Sequence, residues 1–182
     1  MAKYIIFAGV NGAGKTTLYQ TNDMYESMPR INMDEIVRGF GSWKNPKDVS
    51  KAGLLAVKKL KEYLEAGITF NQETTLCGRS IFRNIDIAKA RGYEVILYYV
   101  GLDNVEIAKE RVRQRVKAGG HGIPEADIER RYSESLENLK KMIPVCDSVL
   151  LFDNTESFVK VAKYEHGRCV EKDDVLPKWC EF

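Results

Sequence analysis

Long hydrophobic runs, paired cysteines and an excess of either charge are all missing from this sequence. No apolar stretch is long enough to cross a bilayer, which argues against a membrane partner. The Met-Ala-Lys start runs directly into a short strand-like segment broken by Gly9, unlike a signal peptide. The four cysteines, Cys77, Cys146, Cys169 and Cys180, form no C-x-x-C and have no histidine at metal-ligand spacing. Free thiols in a reducing compartment follow, and the expected location is the cytoplasm. The formal net charge of +2 is too small to argue for a nucleic-acid or membrane surface. Internal repeats and low-complexity tracts are absent as well. At 182 residues, 44% hydrophobic and 30% charged, the chain reads as one globular domain over 1–182, with a C-terminal hairpin and tail from about 155.

What is present is an alternation of strand-like and helix-like segments, the pattern of an α/β protein with a mostly parallel sheet. Residues 3–9, 29–34, 68–75, 93–100 and 148–153 read as five strands, with "YEVILYYV" at 93–100 the most apolar and therefore central. Helices are expected from about Gly14, over 45–66, 80–90, 104–118 and 125–142. In the helix after Asn45-Pro46, the stripe runs through Val49, Ala52, Leu55, Ala56, Leu60 and Leu64, and Gly67 is placed to stop it. "FVKVAKYEHGRCVEK" reads as a hairpin about His166-Gly167. The tail "DDVLPKWCEF" reads as irregular, with Trp179 as an anchor.

Directly after the first strand comes "GVNGAGKTT", which fills G-x-x-x-x-G-K-[ST] with Gly9, Gly14, Lys15 and Thr16. Glycines at these positions let backbone N–H groups converge on phosphate oxygens. Lys15 would reach the β- and γ-phosphates and the Thr16 hydroxyl would ligate Mg²⁺. Gly9, Asn11, Gly12, Ala13, Gly14, Lys15, Thr16 and Thr17 are thus the candidate ligands of ATP. The loop alone leaves a kinase, a hydrolase and a switch open. A hydrolase needs an acid at a strand end, and Asp153 in "VLLFDN" has that shape, but "DNT" favours an Asp-Asn turn. A guanine-specific N-K-x-D is absent.

Three features address the acceptor. Asp34, in "INMDEI", lies at the end of the second strand, where a carboxylate can take a proton from an attacking hydroxyl. It could also cap the following helical stretch. Glu73 ends the third strand and either faces the same crevice or is an exposed edge residue. "KERVRQRVK", at 109–117, places Arg111 and Arg115 on one flank of the stripe Val105, Ala108, Val112, Val116, and Arg113 and Lys117 on the other. Arg131 lies beside the stripe of the next helix, while Arg130 points outward. Two helices joined by a Gly-rich hinge form a candidate lid; a solvated basic face is the alternative.

Taken in order, "GVNGAGKTT", "INMDEI", "ETTL" and "RVRQRVKAGGHGIPEADIERRY" resemble the zeta toxin family of P-loop kinases, and its short bacterial members in particular. The resemblance covers most of residues 3–154. It implies a three-layer P-loop kinase fold with a helical lid, and ATP·Mg²⁺ as phosphoryl donor. It also implies roles: Asp34 as the base that activates a sugar hydroxyl, Glu73 holding the acceptor, and Arg111 or Arg115 on the ATP phosphates. Thr74, His121 and Arg131 join Asp34 and Glu73 as substrate-binding candidates, and Lys15, Asp34, Arg111 and Arg115 are the catalytic ones. The implied reaction is phosphorylation of a hydroxyl on a small molecule, UDP-N-acetylglucosamine or another nucleotide sugar. A nucleoside or metabolite kinase and an ATP-hydrolysing module dependent on Asp153 are the alternatives. The best-known toxins are restrained by a small helical antitoxin. This chain departs from them in being shorter and in carrying His121 in "GHGIP" where they place a second lid arginine. A neutral histidine would make a weaker, pH-dependent phosphate contact.

Overall fold

A computed structural model describes residues 1–21 and 23–181. Its strands are β1 (Lys3–Ala8), β2 (Arg30–Ile31), β3 (Phe70–Thr74), β4 (Glu94–Gly101), β5 (Ser148–Asp153), β6 (Val159–Glu165) and β7 (Arg168–Lys172). Between them lie α1 (Lys15–Gln20), α2 (Asp23–Glu26), α3 (Met33–Arg38), α4 (Pro46–Ala66), α5 (Ser80–Ala90), α6 (Val105–Lys117) and α7 (Glu125–Met142). The sheet order is β2-β3-β1-β4-β5-β6-β7, so β4 is the middle strand, as its apolar run demands. The pairs from β2 through β5 are parallel; β6 and β7 close one edge antiparallel.

Along β1, alternate residues serve two cores. Tyr4, Ile6 and Ala8 face the layer built by α4 and α5, with Leu60, Leu64, Ile81 and Ile85. Ile5 and Phe7 face the layer of α1, α2 and α6, with Leu18, Tyr25, Ala108 and Val112. A strand covered on both faces must be apolar at every position, which is why the run shows no polar alternation. Helix α7 contributes Ile128 to one core and Leu139 and Met142 to the other, so it crosses the open end of the sheet.

The boundaries follow local chemistry. Asn45 caps α4 through Lys47 N, Pro46 occupies its first turn, and Gly67 ends it in the left-handed region at φ 64°. The expected strand over 29–34 is only Arg30–Ile31, because Asn32 accepts hydrogen bonds from the N–H groups of Asp34 and Glu35 and starts α3. Asp34 therefore lies in a first helical turn rather than at a strand end, and Asn32 is the N-cap. The stripe of α6 also stops short, since Val116 is 44% exposed where the helix runs out beyond the sheet. The tail is not wholly irregular. Lys178–Cys180 form a 3-10 turn that buries Trp179 over Gly101, where a Cβ would lie 2.3 Å from the indole. Among the described residues, no helix is long and apolar enough to cross a membrane.

Candidate active site

The loop between β1 and α1 turns on Gly9, Gly12 and Gly14, at φ +142°, +83° and +102°. Each glycine also makes a close approach. Added Cβ atoms would lie 2.3 Å from Val100 O, 2.8 Å from Ala108 O and 2.4 Å from Asn154 Nδ2, respectively. The loop is thus clamped by β4, α6 and the segment after β5. Lys15 is 7% exposed, and its Nζ donates to the carbonyls of Gly9 and Val10 at 2.9 and 3.1 Å. Burial lowers its pKa below the ordinary value; Glu73 and Asp34 oppose this, and Arg115 adds to it. A buried ammonium held by carbonyl oxygens, in a glycine-turned loop at the start of α1, forms a receptor for an anion.

Next to the loop, Glu73 leaves the end of β3. Its Oε2 accepts from Arg30 Nη2 at 2.6 Å and Asn32 Nδ2 at 2.9 Å, and Thr16 Oγ1 lies 3.5 Å away. The side chain is 14% exposed, so the exposed-edge reading of Glu73 does not hold. Arg30 is itself held between Glu35, at 3.0 Å, and the Tyr19 ring, 3.4 Å beneath its guanidinium. Thr74 Oγ1 accepts from Leu76 N at 3.0 Å, fixing the turn after β3. Thr16 and Glu73 offer one hydroxyl and one carboxylate, hard oxygen donors that suit Mg²⁺ completed by phosphate and water oxygens. No group of three or more acidic, histidine or cysteine side chains among the described residues could hold a metal by itself.

A cavity of about 630 Å³ opens beside Lys15, with Asp34, Glu73, Thr74, Gln72 and Arg131 in its wall. A second, of about 480 Å³, shares Asn11, Asp34, Trp43 and Arg131 with it and reaches His121. The candidates thus divide. Arg131 donates to Asn11 Oδ1 at 3.0 Å, and so ties α7 to the phosphate loop. Arg115 donates to His121 O through Nε and Nη2 at 3.1 and 2.8 Å. His121 stacks on Trp43, with ring centroids 4.8 Å apart at 18°. Its pKa lies below the ordinary 6.5 because of burial and of Arg115 and Arg131, with Asp34 pulling the other way.

Arg111 donates to Asn154 O and Thr155 O at 2.8 and 3.2 Å, bracing the segment after β5. Asn154 Nδ2 in turn donates to Ala13 O at 2.8 Å. The Asp153 carboxylate is occupied by Trp179 Nε1 at 2.7 Å and Thr155 Oγ1 at 2.8 Å, the turn reading of that residue. Of the remaining basic residues, Arg113 pairs with Glu110 and Glu125, Arg130 with Asp127 and Glu134, and Lys109 with Glu106 and Glu129. Arg30, Asn32, Trp43 and Asn154 escape a motif reading. Asn32 could have been found as an N-cap two residues before Asp34, and Trp43 as a lone indole in a polar loop.

The chain as a whole resembles known proteins. An uncharacterized protein of Haemophilus influenzae is 36% identical over 132 residues, which are 71% of this chain and 92% of that one. A chain of the AvrRxo1-ORF1:-ORF2 complex solved with ATP superposes with a TM-score of 0.73 at 17% identity, over 93% of this chain and 60% of that one. This chain therefore spans less than two thirds of that structural relative. A chain from the PezAT toxin-antitoxin system of Streptococcus pneumoniae superposes with a TM-score of 0.67 at 16% identity, over 87% of this chain and 71% of that one. At these identities the superpositions establish a shared P-loop kinase fold. The zeta toxin family model matches residues 2–161, nearly the whole chain, and the protein belongs to that family.

Proposed function

We propose that the protein is an ATP-dependent kinase that transfers the γ-phosphate to a hydroxyl group of a small molecule. The observation that carries this reading is the cavity of about 630 Å³ in which Lys15 of the phosphate loop meets Asp34 and Glu73. A hydrolase needs room for water; a cavity of this volume beside the loop accommodates an organic acceptor. Nucleotide sugars, with UDP-N-acetylglucosamine first among them, are the acceptors that family membership favours. A nucleoside or another metabolite is the second reading.

In this mechanism the N–H groups of 9–17 and Lys15 hold the triphosphate, and the buried ammonium turns from loop carbonyls to phosphate oxygens. The Thr16 hydroxyl would hold Mg²⁺, which would supply charge neutralisation for the triphosphate. Asp34 accepts the proton of the acceptor hydroxyl as its oxygen bonds to the γ-phosphorus and the bond to the β-bridging oxygen breaks. Glu73, fixed by Arg30 and Asn32, orients Thr16 and the acceptor edge. Arg115 and Arg131 stabilise the charge that develops on the transferring group. A small helical antitoxin is the proposed protein partner; similar folds were solved in the AvrRxo1-ORF1:-ORF2 complex and within a toxin-antitoxin system.

Mass spectrometry of UDP-sugars, nucleosides and free sugars incubated with ATP, Mg²⁺ and the protein tests the assignment. One acceptor should gain a phosphate; ATP turnover with no phosphorylated product would replace the kinase with a hydrolase. Asp34→Asn should lose about 10²- to 10⁴-fold in transfer while retaining ATP binding. Asp153→Asn should retain transfer, and the reverse pattern would move the chemistry to Asp153.

A further inference from the structure

The α3–α4 loop and the α6–α7 loop meet in a contact between rings. Trp43 belongs to the first loop and lines the acceptor cavity; His121 belongs to the second. Their planes lie at 18° with centroids 4.8 Å apart, an offset-stacked geometry. The backbone of the same histidine holds Arg115, whose Nε and Nη2 both reach His121 O. The loop closes tightly on this arginine: a Cβ on Gly120 would lie 2.7 Å from Arg115 Cγ. We infer that Trp43 is a positioning residue for Arg115, acting through the His121 ring and its carbonyl.

The physical argument is one of degrees of freedom. An arginine side chain has several rotatable bonds, and a single carbonyl fixes its fork only while that carbonyl is itself fixed. The loop between α6 and α7 begins with Gly119 at φ +86° and Gly120, so its backbone has little intrinsic preference for one position. An indole with two torsions, stacked on the residue that presents the carbonyl, supplies the missing constraint. Asp34 from α3, Arg115 from α6 and Arg131 from α7 all act on His121; burial and the two arginines hold its pKa below the ordinary value against the pull of Asp34, so the stack does not add a third cation beside the two arginines at pH 7. The indole also faces the acceptor cavity, so placement of the arginine and occupancy of that cavity depend on one side chain.

The kinetic half of this inference rests on the kinase reading, so the test has two arms. In the first, the side-chain Nε–H resonance of Arg115, assigned with Arg115→Lys, is followed by nitrogen-15 NMR in the nucleotide-free protein. It should be protected from exchange in the wild type and in Trp43→Phe, and lose that protection in Trp43→Ala. Protection that survives in Trp43→Ala would overturn the inference and leave the kinase reading standing. In the second arm, Trp43→Ala should lower kcat about threefold to tenfold, the worth of one aromatic pair, with KM for ATP within about twofold. Trp43→Phe should restore kcat, and Trp43→Ala should add nothing to the loss caused by Arg115→Ala. Additive losses, or a Phe variant as slow as the Ala variant, would also overturn it.

Discussion

The Lys15 ammonium is 7% exposed, donates to two loop carbonyls, and has a pKa pulled below its ordinary value by burial. Desolvating a cation costs free energy that two neutral acceptors only partly return. Lys15→Met should therefore raise the stability of the nucleotide-free protein by roughly 1 kcal/mol and abolish the thermal shift caused by ATP·Mg²⁺. Differential scanning fluorimetry with and without nucleotide checks both parts; a variant less stable than wild type without nucleotide would refute the first. The same scale explains why Glu73 was ambiguous in sequence. An acid in a strand-like run faces either solvent or a partner, and its partner Arg30 lies 43 residues away in the chain. Nothing local distinguishes the two cases; the salt bridge, with side chains 7% and 14% exposed, decides it.

Among the elements, the α6–α7 loop is the one whose state should depend on pH. His121 has a folded pKa below 6.5, so below that pH the unfolded chain binds more protons than the folded one. The stability contribution is full above pH 6.5 and is lost as pH falls through the interval down to the folded value. His121→Gln should flatten this part of the stability profile, measured as urea midpoints between pH 5 and 7.5. The emission of Trp43, obtained as wild type minus Trp43→Phe, should fall over the same interval as the imidazolium forms against the indole. An emission step centred above pH 6.5 would contradict the direction of the shift. Element boundaries show where local rules compete. Asn32 takes the N–H groups of Asp34 and Glu35, and that pair of hydrogen bonds ends β2 three residues before the expected strand end at 34. Asp34 nevertheless faces the cavity, because a first helical turn beside the sheet opens into the same crevice as a strand end.

Across the whole molecule, the C-terminal tail is coupled to the phosphate loop. Trp179 donates to Asp153, Thr155 returns to Asp153, Arg111 holds the carbonyls of Asn154 and Thr155, and Asn154 donates to Ala13. Trp179→Ala should cost about 3–5 kcal/mol in chemical denaturation and weaken nucleotide binding in the folded fraction. Unchanged nucleotide affinity would separate the tail from the loop. This coupling is invisible in a linear reading, since its members span 13 to 179 and each looks like an ordinary turn or tail residue. The phosphate loop, the strand alternation and the family were all legible in the sequence, because each rests on chemistry between residues close in the chain. Glycine torsions, the periodicity of two for strands and 3.6 for helices, and capping side chains act over a few residues. Where each arginine of "KERVRQRVK" is held was not legible, because i, i+4 spacing puts Arg111 and Arg115 on one flank whatever lies opposite. Tertiary structure separated them: the segment after β5 covers one end of that flank and takes Arg111, while the loop carrying His121 folds back on the other and takes Arg115.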